Sequence, residues 1–212
     1  MLIEITAIIL AGGRSSRMGS NKALLPLQGI PVIERLVREL DTVVGRVIIA
    51  GGNQPEAYSY LGKEIFSDVY PGSGPLAGLH AGLTAAETPW SLAVACDMPF
   101  ASREVFEWLV ERVRTAEKSS GPEAIIPVVQ GRVQPLLAAY RRNVLPGLEK
   151  ELQAGSLKLT RWTEGLHAEY ADGAEIAAAT GLPLEQIPFN MNRPDDYRQA
   201  LDWLDRDHKG NA

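Results

Sequence analysis

Three short runs, TAIIL at residues 6–10, RVIIAGG at 46–52 and WSLAVACD at 90–97, are apolar almost throughout. Each is too short for a stable helix and reads as a buried strand. The first runs out into Ala-Gly-Gly, the second ends in Gly-Gly and the third ends on Asp97, so each strand stops where a loop begins. Between them lie segments with helical spacing. Pro31 opens PVIERLVREL, with Val32, Ile33, Leu36, Val37 and Leu40 on one face, and Pro75 stands near the first position of PLAGLHAGLTAAE. Strands alternating with helices imply a layered α/β fold around a mostly parallel sheet. In such sheets ligands sit beyond the carboxyl ends of the strands. Both the glycine loop and Asp97 are expected at that edge.

The rest of the chain extends the pattern. EIFSD is a shorter strand candidate ending at Asp68, and Ser102 is placed to cap a helix with Val105, Phe106, Leu109, Val110 and Val113 facing inward. EAIIPVV reads as another strand, and PLLAAY follows a polar turn at Gly131. A helix around 144–152, a less regular stretch to Pro188 and a last helix around 194–204 complete a single domain over 1–206, with 207–212 expected as a frayed tail. At 212 residues one domain is the natural expectation.

The segment LAGGRSSRMGSNK, residues 10–22, concentrates Arg14, Arg17 and Lys22 in a chain whose net charge is −5, and no Asp or Glu occurs between Ala7 and Ile33. Glycines let backbone N–H groups approach a ligand, and the cations add charge-assisted donors. Together they point to a small polyanion such as the phosphates of a nucleotide. The acidic balance argues against general nucleic-acid binding. The spacing is not that of a P-loop, because Ser20 and Asn21 separate Gly19 from Lys22, and no GxGxxG fingerprint is present. The single cysteine, Cys96, fits a reducing cytoplasm, and no apolar stretch approaches the roughly 20 residues of a membrane span. A soluble, cytoplasmic protein with no membrane partner is expected.

Asp97 leaves two readings open: a ligand for Mg²⁺, which takes one or two carboxylates plus substrate phosphates, or a turn and helix-capping residue. Asp68 carries the same ambiguity. Cys96, beside Asp97, is expected on the other face of the strand as a small buried hydrophobe. The three histidines show no metal-ligand spacing and are expected to pack or lie at the surface. RVQPLL, containing Gln134, reads as a substrate loop or a tight turn. NMNRPDDY, at 190–197, sets Asn190 and Asn192 just ahead of a Pro-initiated helix, with capping by Asn192 as the plain alternative.

Taken together, LAGGRSSRMGSNK, GPLAG, CDMP, QPL and NMNRPDDY, in this order and spacing, resemble the molybdenum cofactor guanylyltransferases, the MobA family, over about residues 6–204. The resemblance implies a single Rossmann-like nucleotidyltransferase domain, three-layered, that joins GMP from GTP to molybdopterin and releases pyrophosphate. It implies that Leu10, Ala11 and Gly12 meet the nucleotide through the backbone, with Gly13 keeping the loop close. Lys22 would bind the triphosphate, assisted by Arg17 and Arg14. Asp68 would bind nucleotide, Asp97 would hold Mg²⁺, and Gln134, Asn190 and Asn192 would lie toward the pterin. The catalytic set is thus Arg17, Lys22 and Asp97. Transient contact with other proteins of cofactor assembly is also implied. One position departs: where some members carry Asn at the end of the second strand, this chain has Ala50, followed by Gly51-Gly52-Asn53.

The residue inventory suits that chemistry. A terminal phosphate is already an anion near neutral pH, so it needs neither a strong base nor a protein nucleophile. It needs positioning and charge neutralisation. Two competing expectations stand beside this one. The first is a related nucleotidyltransferase using CTP, or acting on a sugar phosphate or a cobalamin precursor; LAGG favours guanine, whereas related cytidylyltransferases more often read LAAG. The second is a module that binds GTP or molybdopterin without turnover.

Overall fold

The computed structural model describes residues 4–12, 21–52, 54–117 and 121–210. In chain order the strands and helices are β1 (Ile5–Leu10), β2 (Pro26–Leu27), β3 (Ile30–Pro31), α1 (Val32–Asp41), β4 (Arg46–Ala50), β5 (Glu64–Phe66), α2 (Pro75–Ala86), β6 (Trp90–Ala95) and α3 (Arg103–Glu117). There follow β7 (Ala124–Val129), β8 (Arg132–Val133), β9 (Leu137–Arg141), α4 (Leu145–Gln153), α5 (Leu159–Glu164), β10 (Ala168–Asp172), α6 (Gly173–Thr180) and α7 (Pro194–Gly210). Short 3₁₀ turns cover Lys22–Leu24, Pro55–Leu61 and Arg142–Val144.

The main sheet runs β10-β7-β9-β6-β1-β4-β5, with β8 paired to β7. β6, β1, β4 and β5 are mutually parallel, as is the pair β7 and β10. β9 runs antiparallel between β6 and β7. The sheet is therefore mostly parallel, as the apolar runs predict. β1 is buried at every position because its alternating side chains enter two different cores. Ala7 and Ile9 belong to the core that also holds Leu36 and Leu40 of α1 and Val105 and Leu109 of α3. Ile8 and Leu10 belong to the second core, with Leu76, Leu79 and Leu83 of α2 and Leu148 of α4. Three layers result, helix, sheet and helix.

Ser102 occupies the capping position of α3: its carbonyl accepts from Phe106 N–H, while its hydroxyl donates to the Glu104 carboxylate. The stretch before Pro188 is more regular than its sequence suggests. It holds α5, β10 and α6, the last capped by the Asp172 carboxylate on Ala174 N–H and closed by Gly181 with φ +73°. The final helix runs on to Gly210, past the expected end at 204 and through part of the expected tail. Among the described residues no helix is long and apolar enough to cross a membrane.

Candidate active site

Because β6, β1, β4 and β5 are adjacent and parallel, their carboxyl ends form one row. Along it stand Asp97 after β6, Ala11 and Gly12 after β1, Gly51 and Gly52 after β4, and Asp68 after β5. Backbone bonds extend the ladder past the strands: Ala11 N–H donates to Ala50 O at 2.9 Å, Cys96 N–H to Leu10 O at 3.0 Å, and Gly51 N–H to Phe66 O at 2.9 Å. The row is thus held by the sheet itself, which gives a site on a rigid support.

Two further segments join it. β9 enters the sheet from this same edge because it is antiparallel, and Ala95 N–H donates to Leu136 O at 2.9 Å. That contact brings the Gln134–Leu136 turn beside the end of β6. Gln134 itself is engaged with its own hairpin: its N–H donates to Pro127 O at 2.8 Å and its side-chain amide to Arg132 O at 3.1 Å. The C-terminal segment arrives through Met191, fully buried, whose N–H donates to Asp97 O at 2.9 Å. Asn190 turns its amide onto Pro188 O at 2.8 Å.

Lys22 is where these pieces meet. Its ammonium donates to Asn192 Oδ1 at 2.7 Å and lies 3.8 Å from Asp97 Oδ2. The plain alternative for Asn192, capping of α7, is not what the structure shows. Arg193 and Asn192 N–H groups both donate to the Asp196 carboxylate at 2.7 Å, so an acid inside the helix reaches back and caps it. The Asn192 side chain is left for Lys22. Asp97 does not cap α3, which begins at Arg103, but it does sit in the turn closed by Met98 N–H on Ala95 O at 3.2 Å, so the turn half of its alternative reading holds. Burial raises the Asp97 carboxyl above its usual range, and the charge of Lys22 opposes that rise. Asp68 is raised by burial alone, and its Oδ1 has no hydrogen-bond partner among the described residues. That oxygen lies 3.9 Å from where a Cβ on Gly78 of α2 would stand, and Oδ2 lies 3.7 Å from one on Gly12. Both distances are ordinary van der Waals contacts, so the two glycines border the carboxylate without being required by it.

Gly13, Arg14, Arg17 and Asn53 lie outside the described residues. Cys96 packs on the core, and burial pushes its thiol up to about 12, so it stays a neutral thiol at neutral pH. His80 is buried with its ring edge-on to Tyr70, centroids 5.2 Å apart, in the packing role expected of it. Tyr58 was not singled out by any motif, yet its hydroxyl donates to Ala11 O at 2.8 Å and accepts from Asn21 Nδ2 at 2.9 Å. A cavity of about 610 Å³ opens at the opposite edge of the sheet, lined by Ile5, Val43, Arg46, Glu87 and Arg114 among others, and borders none of the residues above.

A divalent cation can be tested against the donors present. Among the described residues no three His, Cys, Asp or Glu side chains cluster as a metal site. Two half-buried carboxylates, Asp97 and Asp68, stand at the edge where phosphates would lie, and Asp97 is the one beside Lys22. That set suits a hard cation held by one or two carboxylates and completed by phosphate and water oxygens, which is how Mg²⁺ is commonly bound.

The sheet order, the glycines at strand ends and the paired lysine and aspartate make an α/β protein with a cationic ligand edge, and its similarity to known proteins places it in the nucleotidyltransferase class. Residues 7–170 match the family described as the MobA-like NTP transferase domain, and the chain belongs to that family. A Clostridium perfringens protein named "Probable molybdenum cofactor guanylyltransferase" is 39% identical over 203 residues, covering 94% of this chain and 98% of its own. A Bordetella petrii protein named molybdenum cofactor guanylyltransferase is 34% identical, covering 87% and 97% respectively. Among solved structures, molybdopterin-guanine dinucleotide biosynthesis protein A from Archaeoglobus fulgidus superposes with a TM-score of 0.80 at 25% identity, over 95% of this chain and 99% of that one.

Proposed function

We propose that this protein is a molybdenum cofactor guanylyltransferase that transfers GMP from GTP to molybdopterin. The observation that carries the reading is the convergence of Lys22, Asp97 and Asn192 at the same sheet edge as Ala11 and Gly12, which follow β1. The names of its relatives supply the substrates. A phosphate oxygen of molybdopterin attacks the α-phosphorus of GTP and forms the new P–O bond. The bond from that phosphorus to the bridging oxygen breaks, and pyrophosphate leaves with the electron pair.

No protein nucleophile is required, and the neutral Cys96 thiol is not one. Leu10, Ala11 and Gly12 present backbone to the nucleotide, and Lys22 neutralises the β- and γ-phosphates. Arg17 assists the departing pyrophosphate in this proposal, and Gly13 keeps the backbone near the base. Asp68 faces the nucleotide from the end of β5. Gln134, Asn190 and Asn192 flank the pterin side. Asp97 would hold the divalent cation, Mg²⁺ in this reading. Once bound, such an ion neutralises the reacting phosphates and aligns them. The cytoplasm, with its reduced thiols and its GTP, is the compartment that suits the single cysteine.

The test is incubation of the purified protein with molybdopterin, Mg²⁺ and each of GTP, CTP and ATP, with the product identified and pyrophosphate measured. The guanine dinucleotide formed from GTP is the expected result. Preference for CTP would make it a cytidylyltransferase, and nucleotide binding without pyrophosphate release would make it a binding module.

A further inference from the structure

The glycine-rich segment, residues 10–22, carries Ala11 near one end and Asn21 near the other, and nothing in its own sequence explains how those two positions are held together. The 3₁₀ turn Pro55–Leu61, between β4 and β5, places Tyr58 under them with 1% of its surface exposed. A phenol has one proton to donate and lone pairs to accept. Here the proton goes to Ala11 O at 2.8 Å, and an amide hydrogen of Asn21 comes in at 2.9 Å. Asn21 is itself fixed at its other side-chain atom, where Oδ1 accepts from Ala23 N–H at 3.1 Å and caps the turn that carries Lys22.

We propose that Tyr58 is a positioning residue of the nucleotide site, its hydroxyl tying Ala11 to Asn21 and thereby setting Lys22 in register with the backbone at Ala11 and Gly12. The inference rests on the nucleotide-transfer reading above. A core position needs only the ring, and phenylalanine would fill it. A buried hydroxyl costs free energy unless it is hydrogen-bonded, so its presence asks for a reason. Both of its bonds go to the two ends of the same motif, one to the strand side that presents backbone and one to the lysine side. Burial pushes the phenol up to about 12, so the donated proton remains in place throughout the neutral range. The tie also couples β4 to the site, because the turn bearing Tyr58 follows directly from the Gly51–Gly52 strand end. Lys22 is then delivered to Asn192 and Asp97 by a preformed backbone rather than by ordering on binding, which lowers the cost of capturing the triphosphate.

Tyr58→Phe keeps the packing and removes only the oxygen. GTP binding to wild type and variant is measured by calorimetry well below both melting temperatures, together with steady-state guanylyl transfer. The expected result is a dissociation constant for GTP raised by about tenfold, with a matching rise in KM for GTP and little change in kcat or in the KM for molybdopterin. In an Asn21→Ala background the same substitution should cost less, because one end of the tie is already cut. A Tyr58→Phe protein that melts lower but binds GTP like wild type would reduce the residue to core packing and overturn the proposal. So would penalties from Tyr58→Phe and Asn21→Ala that multiply in full. Wild-type protein that fails to bind GTP would overturn the nucleotide reading and this inference together, which separates that failure from a failure of Tyr58 alone.

Discussion

Gly12 and Gly52 face each other across the ends of β1 and β4 so closely that neither can carry a side chain without displacing the other. A Cβ on Gly12 would stand 3.0 Å from Gly52 Cα, and a Cβ on Gly52 would stand 2.6 Å from Gly12 Cα. Both obstacles are backbone, so no rotamer change relieves them. Gly52 adds a φ of +59°, a conformation that costs other residues about 1–2 kcal/mol.

Gly12→Ala and Gly52→Ala should therefore weaken GTP binding through the protein's own backbone as well as through crowding of the base. Gly12→Ala needs only a shift of a few tenths of an ångström and should retain measurable binding. Gly52→Ala combines the shorter contact with the unfavourable φ and should be the worse of the two, both in melting temperature and in GTP affinity. Calorimetry and thermal melts on the pair check the order. Gly12→Ala proving equal to wild type would show that the turn has slack that the structure does not display.

Lys22 faces a half-buried carboxylate before any phosphate arrives, since its ammonium lies 3.8 Å from Asp97 and 2.7 Å from Asn192 Oδ1. Lys22→Ala should lower GTP affinity by roughly tenfold to a hundredfold, the range of a lost charge-assisted hydrogen bond. GMP, which has no β- or γ-phosphate, should lose much less. Parallel titrations with both nucleotides decide this, and equal losses would move the lysine off the triphosphate.

How far the sequence reveals this site depends on burial and on distance along the chain. β1, β4 and β6 are legible because strands covered on both faces are apolar at successive positions. β10 escapes because it lies at the sheet edge, where Tyr170 is 45% exposed and Glu169 pairs with Arg112, so no apolar run marks it. Lys22, Asp97 and Asn192 are each visible as motif residues, and their convergence is a tertiary fact joining three distant segments. Tyr58 had no signal at all. A lone tyrosine between two strands reads as packing until its hydroxyl is found between Ala11 and Asn21.

His80 offers a prediction independent of catalysis. It is buried in α2 against Tyr70, and its Nδ1 has no hydrogen-bond partner among the described residues. Burial lowers its pKa below the ordinary value of 6.5, with the Glu149 charge opposing. For a base whose folded pKa is lowered, the unfolded chain takes up its proton first as pH falls. Stability is then lost as pH drops below about 6.5. The melting temperature of wild type should decline between pH 7 and pH 5, and His80→Gln, which cannot titrate, should show a flatter profile. Identical slopes for the two proteins would assign the acid sensitivity elsewhere.

Asp97 makes the sharpest division between stability and function. Its carboxyl is raised by burial, which means that the ionised form is held in the fold at a cost despite the lysine beside it. The sign follows from linkage: with the folded pKa above the unfolded one, stability contributed by this group falls as pH rises through the window between them. At neutral pH the charge is a burden to folding. Asp97→Asn keeps the size and a carbonyl oxygen and removes the charge, so the melting temperature at pH 7 should stay level or rise. The backbone carbonyl of residue 97, which accepts from Met191 N–H, is untouched, so the C-terminal segment should remain docked. Guanylyl transfer should nevertheless fall by orders of magnitude, since an amide is a poor ligand for a hard divalent cation in competition with water. The measurements are turnover at saturating GTP and Mg²⁺, thermal melts at pH 7 and pH 5, and GTP affinity in the absence of divalent cation. That last value should be no weaker than wild type, because removing the anion beside Lys22 frees the ammonium for the triphosphate. A folded Asp97→Asn protein with near-normal turnover would remove Asp97 from the metal role and leave the lysine as the main source of charge neutralisation.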